Sequence, residues 1–369
     1  SAIVDNTTLK ANDYNLNIRR YADNAPPPEP HDVRAHLVGG VPKAEVADKA
    51  ALFQAHGLNP LDLLVERDAK YYDFKPQLSK RQDLTPAIEG NAGLVAKESA
   101  LRTAFEQWWQ AYSARIIALQ ADNTRLVATR DELLTHFASA LEPVGLLDAF
   151  QVRGIGAGFW YDNLNDFKAI MARGSLGLIR GWRDTILSEL DDEDARKKAN
   201  PLEHKLVKFL MSDFVEAINE LEAKKAELDS QIKAASPKDA DAEEGEAAET
   251  VDEDADDENA VDEAQIKAWK KELAAIKKQL KVKKQSFATH INAAVDGLSA
   301  EQAAELLLTI LHNDMRAIVE RYIAAQRKSI VATFENWWDK YRVTLTEIES
   351  KRDAAAQALQ GFLKGLRYV

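Results

Sequence analysis

The chain contains no cysteine. That removes disulfides, thiolate zinc ligands and thiol nucleophiles together, leaves stability to packing, and fits a reducing cytosol. Long apolar runs are also missing. The nearest, Ala303 to Leu311, falls well short of the roughly 20 residues that span a bilayer, and the first residues lack the basic-then-apolar layout of a signal peptide. Neither a membrane nor secretion is expected. His-Glu-x-x-His and Gly-x-x-x-x-Gly-Lys patterns do not occur, and the carboxylates nominate no acid/base pair. His31 and His36 stand five apart, a thin signal for metal, so surface or packing histidines are expected. Gly154, Gly156 and Gly158 superficially resemble a cofactor loop. The stretch before them, Phe150 to Arg153, is too short for the strand such a loop must follow, and a flexible turn ahead of a helix at Trp160 is expected instead. The residues therefore name no catalytic, cofactor or metal site.

Basic residues are absent from one stretch. Residues 239 to 263 hold fourteen Asp or Glu and no Lys or Arg, so although the whole chain carries a net charge of -12 the remainder sums to +2. Acidity confined to one segment does not exclude nucleic acid as a partner of the rest. With little apolar content, that segment cannot offset its ordering entropy and is expected to be mobile.

At 369 residues the chain has room for two or three packed units. The expected class is mainly α: a multi-helix domain with a long antiparallel coiled-coil-like helical hairpin and little β. Residues 1–60 read as an extended lead-in and a short helix, with Pro26, Pro27, Pro28 and Pro30 making helix unlikely in the first forty. Residues 61–205 read as a helical domain with a short hairpin between Leu61 and Phe74, and Thr85-Pro86 as a helix start. Residues 206–295 form the helical hairpin, interrupted by the acidic segment 236–263. Phe214, Ile218, Leu221, Lys225, Leu228 and Ile232 recur at 4-3-4-3-4 spacing, and Ile266, Trp269, Leu273, Ile276 and Leu280 at 3-4-3-4, so each arm carries an apolar seam and its neighbour is the nearest cover. Residues 296–369 are the C-terminal helices, with capping boxes at Ser299/Gln302 and Thr344/Glu347.

One pattern occurs twice. Phe105, Trp108, Trp109 and Tyr112 match Phe334, Trp337, Trp338 and Tyr341, each set at i, i+3, i+4 and i+7 on one helix face. A base-stacking platform is one reading. Aromatic stripes at helical spacing are usually core, so a buried contact is expected, between the copies or with a partner helix through Trp108, Trp109, Trp337 and Trp338. Eight lysines between Lys267 and Lys284 crowd the second hairpin arm, and Arg316, Arg321, Arg327 and Lys328 line a later helix. Either set suits a phosphate backbone. For the hairpin, a solvated face paired with Glu216, Glu220, Glu222 and Glu227 or with the acidic tip is the favoured alternative.

The block Asn12 to Tyr21 (NDYNLNIRRY), the following Pro-Pro-Pro-Glu at 26–29 and His36 to Glu45 (HLVGGVPKAE) resemble modification subunits of type I restriction-modification systems. Tyr71-Tyr72-Asp73-Phe74, Arg321-Tyr322, Trp337 to Tyr341, Val343-Thr344-Leu345, Ile348-Glu349, Arg352-Asp353, Phe362-Leu363 and Tyr368-Val369 extend the likeness to the other end. The resemblance implies adenine-N6 DNA methylation with S-adenosylmethionine, in a prokaryotic cytoplasm. The family's Asn-Pro-Pro-Tyr/Phe motif is not here: Asn59-Pro60 and Asn200-Pro201 are each followed by leucine. The chain thus looks like the region downstream of the catalytic core, with Asn15, Asn17, Arg19, Arg20 and Tyr21 at the junction and no cofactor of its own. Implied partners are the specificity subunit, a second modification subunit, DNA and, further out, the restriction subunit. A free-standing coiled-coil scaffold, or an acidic chaperone-like protein acting through residues 239–263, is the alternative.

Overall fold

The computed structural model describes residues 4–17, 21, 30–121, 125–191, 200–235 and 263–366. The expectations for Arg19, Arg20, the 26–29 proline run, the connection at 192–199, the acidic segment before Glu263 and Tyr368-Val369 lie outside these residues. With 81% helix against 3% strand, the protein is mainly α.

The lead-in is more helical than its prolines suggested. Asp5 accepts the Thr8 amide at 2.7 Å and starts α1 (Asn6–Ala11), and Asp32 accepts the Ala35 amide at 2.9 Å and starts α2 (Val33–Val38). Each carboxylate satisfies an amide that a short helix otherwise leaves open, which outweighs weak local propensity. After β1 (Val41–Pro42), α3 (Lys43–Asp48) and α4 (Ala50–His56) end at Gly57, whose φ of 66° is the left-handed stop its position suggested. β2 (Leu64–Glu66) and β3 (Tyr71–Phe74) form the antiparallel hairpin, and β1 adds to the other edge of β3 with Val41 opposite Tyr72. The helix start expected at Thr85-Pro86 falls earlier. α5 (Leu84–Glu89) begins at Leu84, which is fully buried, and Pro86 sits in the first turn, where its missing N–H costs nothing.

α6 (Ala92–Tyr112), α7 (Ala114–Ala118) and α8 (Leu126–Leu141) break what the sequence allowed as one long helix. The glycine run is a correction on both readings. Gly154, Gly156 and Gly158 lie inside α9 (Ala149–Asp162), which opens on a reciprocal capping box between Asp148 and Gln151. A Cβ on Gly156 would sit 2.9 Å from Leu134 Cδ2 and 3.3 Å from Phe137 Cδ1, so this glycine lets α8 and α9 approach closely. α10 (Leu164–Asp191) kinks at Gly174, with φ 72°. α11 (Lys205–Leu210) leads into α12 (Ser212–Ala235) and α13 (Glu263–Asp296). α12 and α13 pack along each other in opposite directions: Phe214 meets Phe287, and Glu222 meets Lys284 at 2.7 Å. Their shared cluster is Ile218, Leu228, Leu273, Ile276 and Leu280, flanked by Phe214, Leu221, Ile232 and Trp269. α14 (Ala300–Tyr341) opens on the Ser299/Gln302 box, with bonds of 2.9 and 3.2 Å, and α15 (Leu345–Gly365) on Thr344, which accepts the Glu347 amide at 3.1 Å.

Residues 1–98 and 326–369 make one compact unit, and residues 99–325 make the other. These limits differ from the sequential boundaries at 60, 205 and 295. The divisions fall inside α6 and α14, where helix continues and composition gives no break. The first unit's core gathers Leu64, Leu84, Ile88 and Leu94 around Phe334 and Tyr341, all at most 2% exposed. The second unit's core gathers Leu101, Phe105, Phe137, Phe167 and Leu307.

Candidate functional site

In the first unit, stretches from both ends of the sequence meet at one cleft. Gly39 and Gly40 have φ of 81° and 100°, in the region that favours glycine. A Cβ on Gly39 would come within 3.0 Å of Thr344 Cγ2, and one on Gly40 within 3.0 Å of Tyr71 Cβ, so conformation and contact both require glycine here. The Arg67 guanidinium donates twice to the Val38 carbonyl, both at 3.2 Å, and lies 3.5 Å from Asp73. The cleft beside these groups measures about 440 Å³ and is lined also by Tyr72, Phe74, Arg342 and Glu347.

Behind it, Glu45 is 7% exposed. The Trp337 indole N–H donates to it at 3.1 Å, the Tyr341 hydroxyl donates to its other oxygen, and the Lys340 ammonium stands 4.0 Å away. Burial, and then the bond to the Glu45 carboxylate, push the Tyr341 hydroxyl well above the ordinary tyrosine range. A carboxylate committed to two donors and a cation is a structural tie rather than a free base. Among the described residues no group of three or more His, Asp or Glu is arranged to hold a metal ion. His31 and His36 instead share a ring-to-ring hydrogen bond at 3.1 Å.

Of the junction residues, Asn15 and Asn17 are exposed, with the Asn17 amide donating to Asn15 Oδ1 at 3.0 Å, and the Tyr21 hydroxyl donates to the Asn15 carbonyl. The tryptophans proposed for a partner helix are spent internally. Trp108 and Trp109 are 4% and 8% exposed in the second unit's core, and Trp337 and Trp338 are 3% and 7% exposed in the first. Arg327 is likewise taken from the phosphate set, because its guanidinium grips the buried Glu98 carboxylate at 2.8 and 2.5 Å and lies 3.5 Å from Glu89. Arg316, Arg321 and Lys328 are exposed. Helical spacing places Arg321 with Lys328 and Arg316 with Arg327 on different sides of α14, so the four do not form one stripe.

The glycines of α9 do not provide a cofactor cradle, since they are helical and Gly156 is covered by α8 side chains. A feature that the sequence reading passed over is the apolar stripe of α15. None of its residues is buried, yet Leu345, Ile348, Ala355, Leu359, Phe362 and Leu366 recur at 3-4 spacing once Arg352 is included. Leu359, Phe362 and Leu366 are 58%, 71% and 68% exposed. The Thr344/Glu347 box announced this helix, and extending the 3-4 count beyond it would have found the stripe. Its first turn is tied down by the Thr346 hydroxyl donating to the Leu37 carbonyl at 2.8 Å. Comparison with protein-family models, with curated proteins and with solved structures returns no match. No helix among the described residues is long and apolar enough to cross a membrane.

Proposed function

We propose that this chain is the C-terminal helical region of a type I restriction-modification adenine-N6 DNA methyltransferase subunit, in a prokaryotic cytoplasm. Its work is assembly: it docks the specificity subunit and lends basic residues to the DNA path. S-adenosylmethionine belongs to the core of the full-length subunit under this reading. The observation that carries the proposal is α15, a 21-residue helix with an apolar stripe at heptad spacing and no residue buried. Such a stripe is the half-seam of a helix pair and needs a second helix to cover it. The hairpin of α12 and α13, read as a coiled-coil-like arm, adds a second elongated helical surface. The sequence resemblance supplies the partner, and the blocks that carry it at 36–45, 71–74 and 337–345 line or brace one cleft.

Co-purification with the specificity subunit tests the reading. Leu359→Glu and Phe362→Glu should abolish the complex while leaving the melting temperature within a degree or two, because neither side chain is part of the core. A wild-type chain that captures no specificity subunit removes the proposal.

A further inference from the structure

The lysines of α13 form a surface that docking through the α15 stripe does not use. Lys267, Lys271 and Lys278 fall on one line of the helix, and Lys270, Lys277, Lys281 and Lys284 on an adjacent line, so seven ammonium groups share one broad face. All seven are exposed. From Lys267 to Lys284 the face runs about 25 Å at the rise of an α-helix. Pairing by the α12 carboxylates, one of the two expected fates of these charges, is nearly unrealised, and the acidic tip, the other, lies outside the described residues. Among the described residues the one ion pair is Lys284 with Glu222, at 2.7 Å. Asp229 and Glu222 border a shallow cavity with Lys277 and Lys284, while Lys267, Lys270, Lys271, Lys278 and Lys281 are outside it. The carboxylate on α13 within this stretch, Glu272, lies on the far side of the helix by spacing.

We infer that this face of α13 is a binding surface for the phosphodiester backbone of nucleic acid, read without sequence preference. The inference deepens the DNA-contacting part of the proposed function and locates it away from Arg316, Arg321, Arg327 and Lys328. A row of separated cations along a straight helix matches a line of phosphates rather than one convergent anion. A lipid surface fits less well. Helices that lie on membranes bury an apolar face, and the apolar face of α13 is already covered, with Leu273, Ile276 and Leu280 at 9% exposure or less.

The test uses the full chain and a fluorescein-labelled duplex of arbitrary sequence, with anisotropy followed across a salt series. Wild-type protein should bind at about 50 mM salt and lose affinity linearly on a log–log plot, with each phosphate contact adding about 0.9 to the slope. Lys271→Gln, Lys278→Gln and Lys281→Gln together should lower that slope by about 3 and weaken binding roughly a hundredfold. Glutamine keeps the helix propensity, and an unchanged circular dichroism melt confirms the fold. Arg316→Gln with Arg321→Gln should leave the slope unchanged. Three results would overturn the inference: no duplex binding by the wild type at low salt, the same slope in the triple variant, or displacement of the duplex by anionic vesicles at equal phosphate. Duplex binding is read without the specificity subunit, so a failed co-purification and a failed salt series are separate outcomes.

Discussion

Trp108 and Trp337 occupy equivalent places in the repeated Phe-Glu-x-Trp-Trp pattern, and their indoles are nearly equally buried, yet their N–H groups fare differently. Trp337 donates to Glu45 at 3.1 Å, whereas the buried Trp108 N–H has no hydrogen-bond acceptor among the described residues. Replacing each by phenylalanine removes a similar ring volume. In Trp337→Phe the buried Glu45 carboxylate also loses a donor, and a buried charge left short of a partner costs about 1–3 kcal/mol more. In Trp108→Phe no bond is lost and an unpaired N–H is removed. Urea unfolding, followed by hydrogen exchange in each unit, should therefore find Trp337→Phe the more destabilising by about that difference. Equal losses would mean that Glu45 is held by Tyr341 and Lys340 alone. The repeat itself was legible in the sequence, and so was its burial. The different polar partners were not, because Glu45 lies 292 residues from Trp337 and no local spacing connects them.

The glycines of α9 show at the level of one helix what local reading gets right and wrong. Three glycines at alternate positions are poor helix formers, and a turn was the natural expectation. Two facts overrule it: the Asp148/Gln151 box nucleates the helix, and Gly156 packs against α8. Apart from the chain neighbours and the backbone of α9 itself, no heavy atom of the described residues lies within 4 Å of a Cβ placed on Gly154 or Gly158. Gly154→Ala and Gly158→Ala should each stabilise the second unit by about 0.5–1 kcal/mol, the usual gain of alanine over glycine within a helix. Gly156→Val should destabilise it by about 1–3 kcal/mol through overpacking against Leu134 and Phe137. Thermal unfolding of the three variants measures this, and a loss on Gly154→Ala would show that the backbone there is not helical in solution. Caps, by contrast, were legible. Ser299/Gln302 and Thr344/Glu347 are local patterns, and each formed where the spacing placed it, while of the residues spaced along α12 and α13 Ile218, Leu228, Leu273, Ile276 and Leu280 share one buried cluster.

At the scale of the whole chain, one compact unit is discontinuous in sequence, and that was not legible. The contiguous segments expected at 60, 205 and 295 assume that a domain ends where composition changes, but the first unit closes by bringing residues 326–369 onto residues 1–98 inside unbroken helices. Its core makes the dependence explicit. Phe334, Trp337, Trp338 and Tyr341 supply four of its six buried aromatic side chains, and Phe53 packs against Phe334 and Trp337 with ring centres 5.6 and 6.0 Å apart. Truncating a single buried aromatic side chain costs about 3–5 kcal/mol, and a whole domain has only about 5–15 kcal/mol to lose. A chain ended after Ala325 should therefore leave residues 41–94 without slow amide exchange, while residues 126–187 keep theirs. A chain ended after Glu349 keeps those aromatics and the Thr344 cap, and loses only helix in which no residue is buried, so both protected sets should remain. Protection of residues 41–94 in the shorter chain would show that the N-terminal stretch folds by itself and that the C-terminal aromatics only dock onto it. Loss of protection in the longer one would show that α15 is covered in the isolated chain, and would take away the exposed stripe on which its docking role depends.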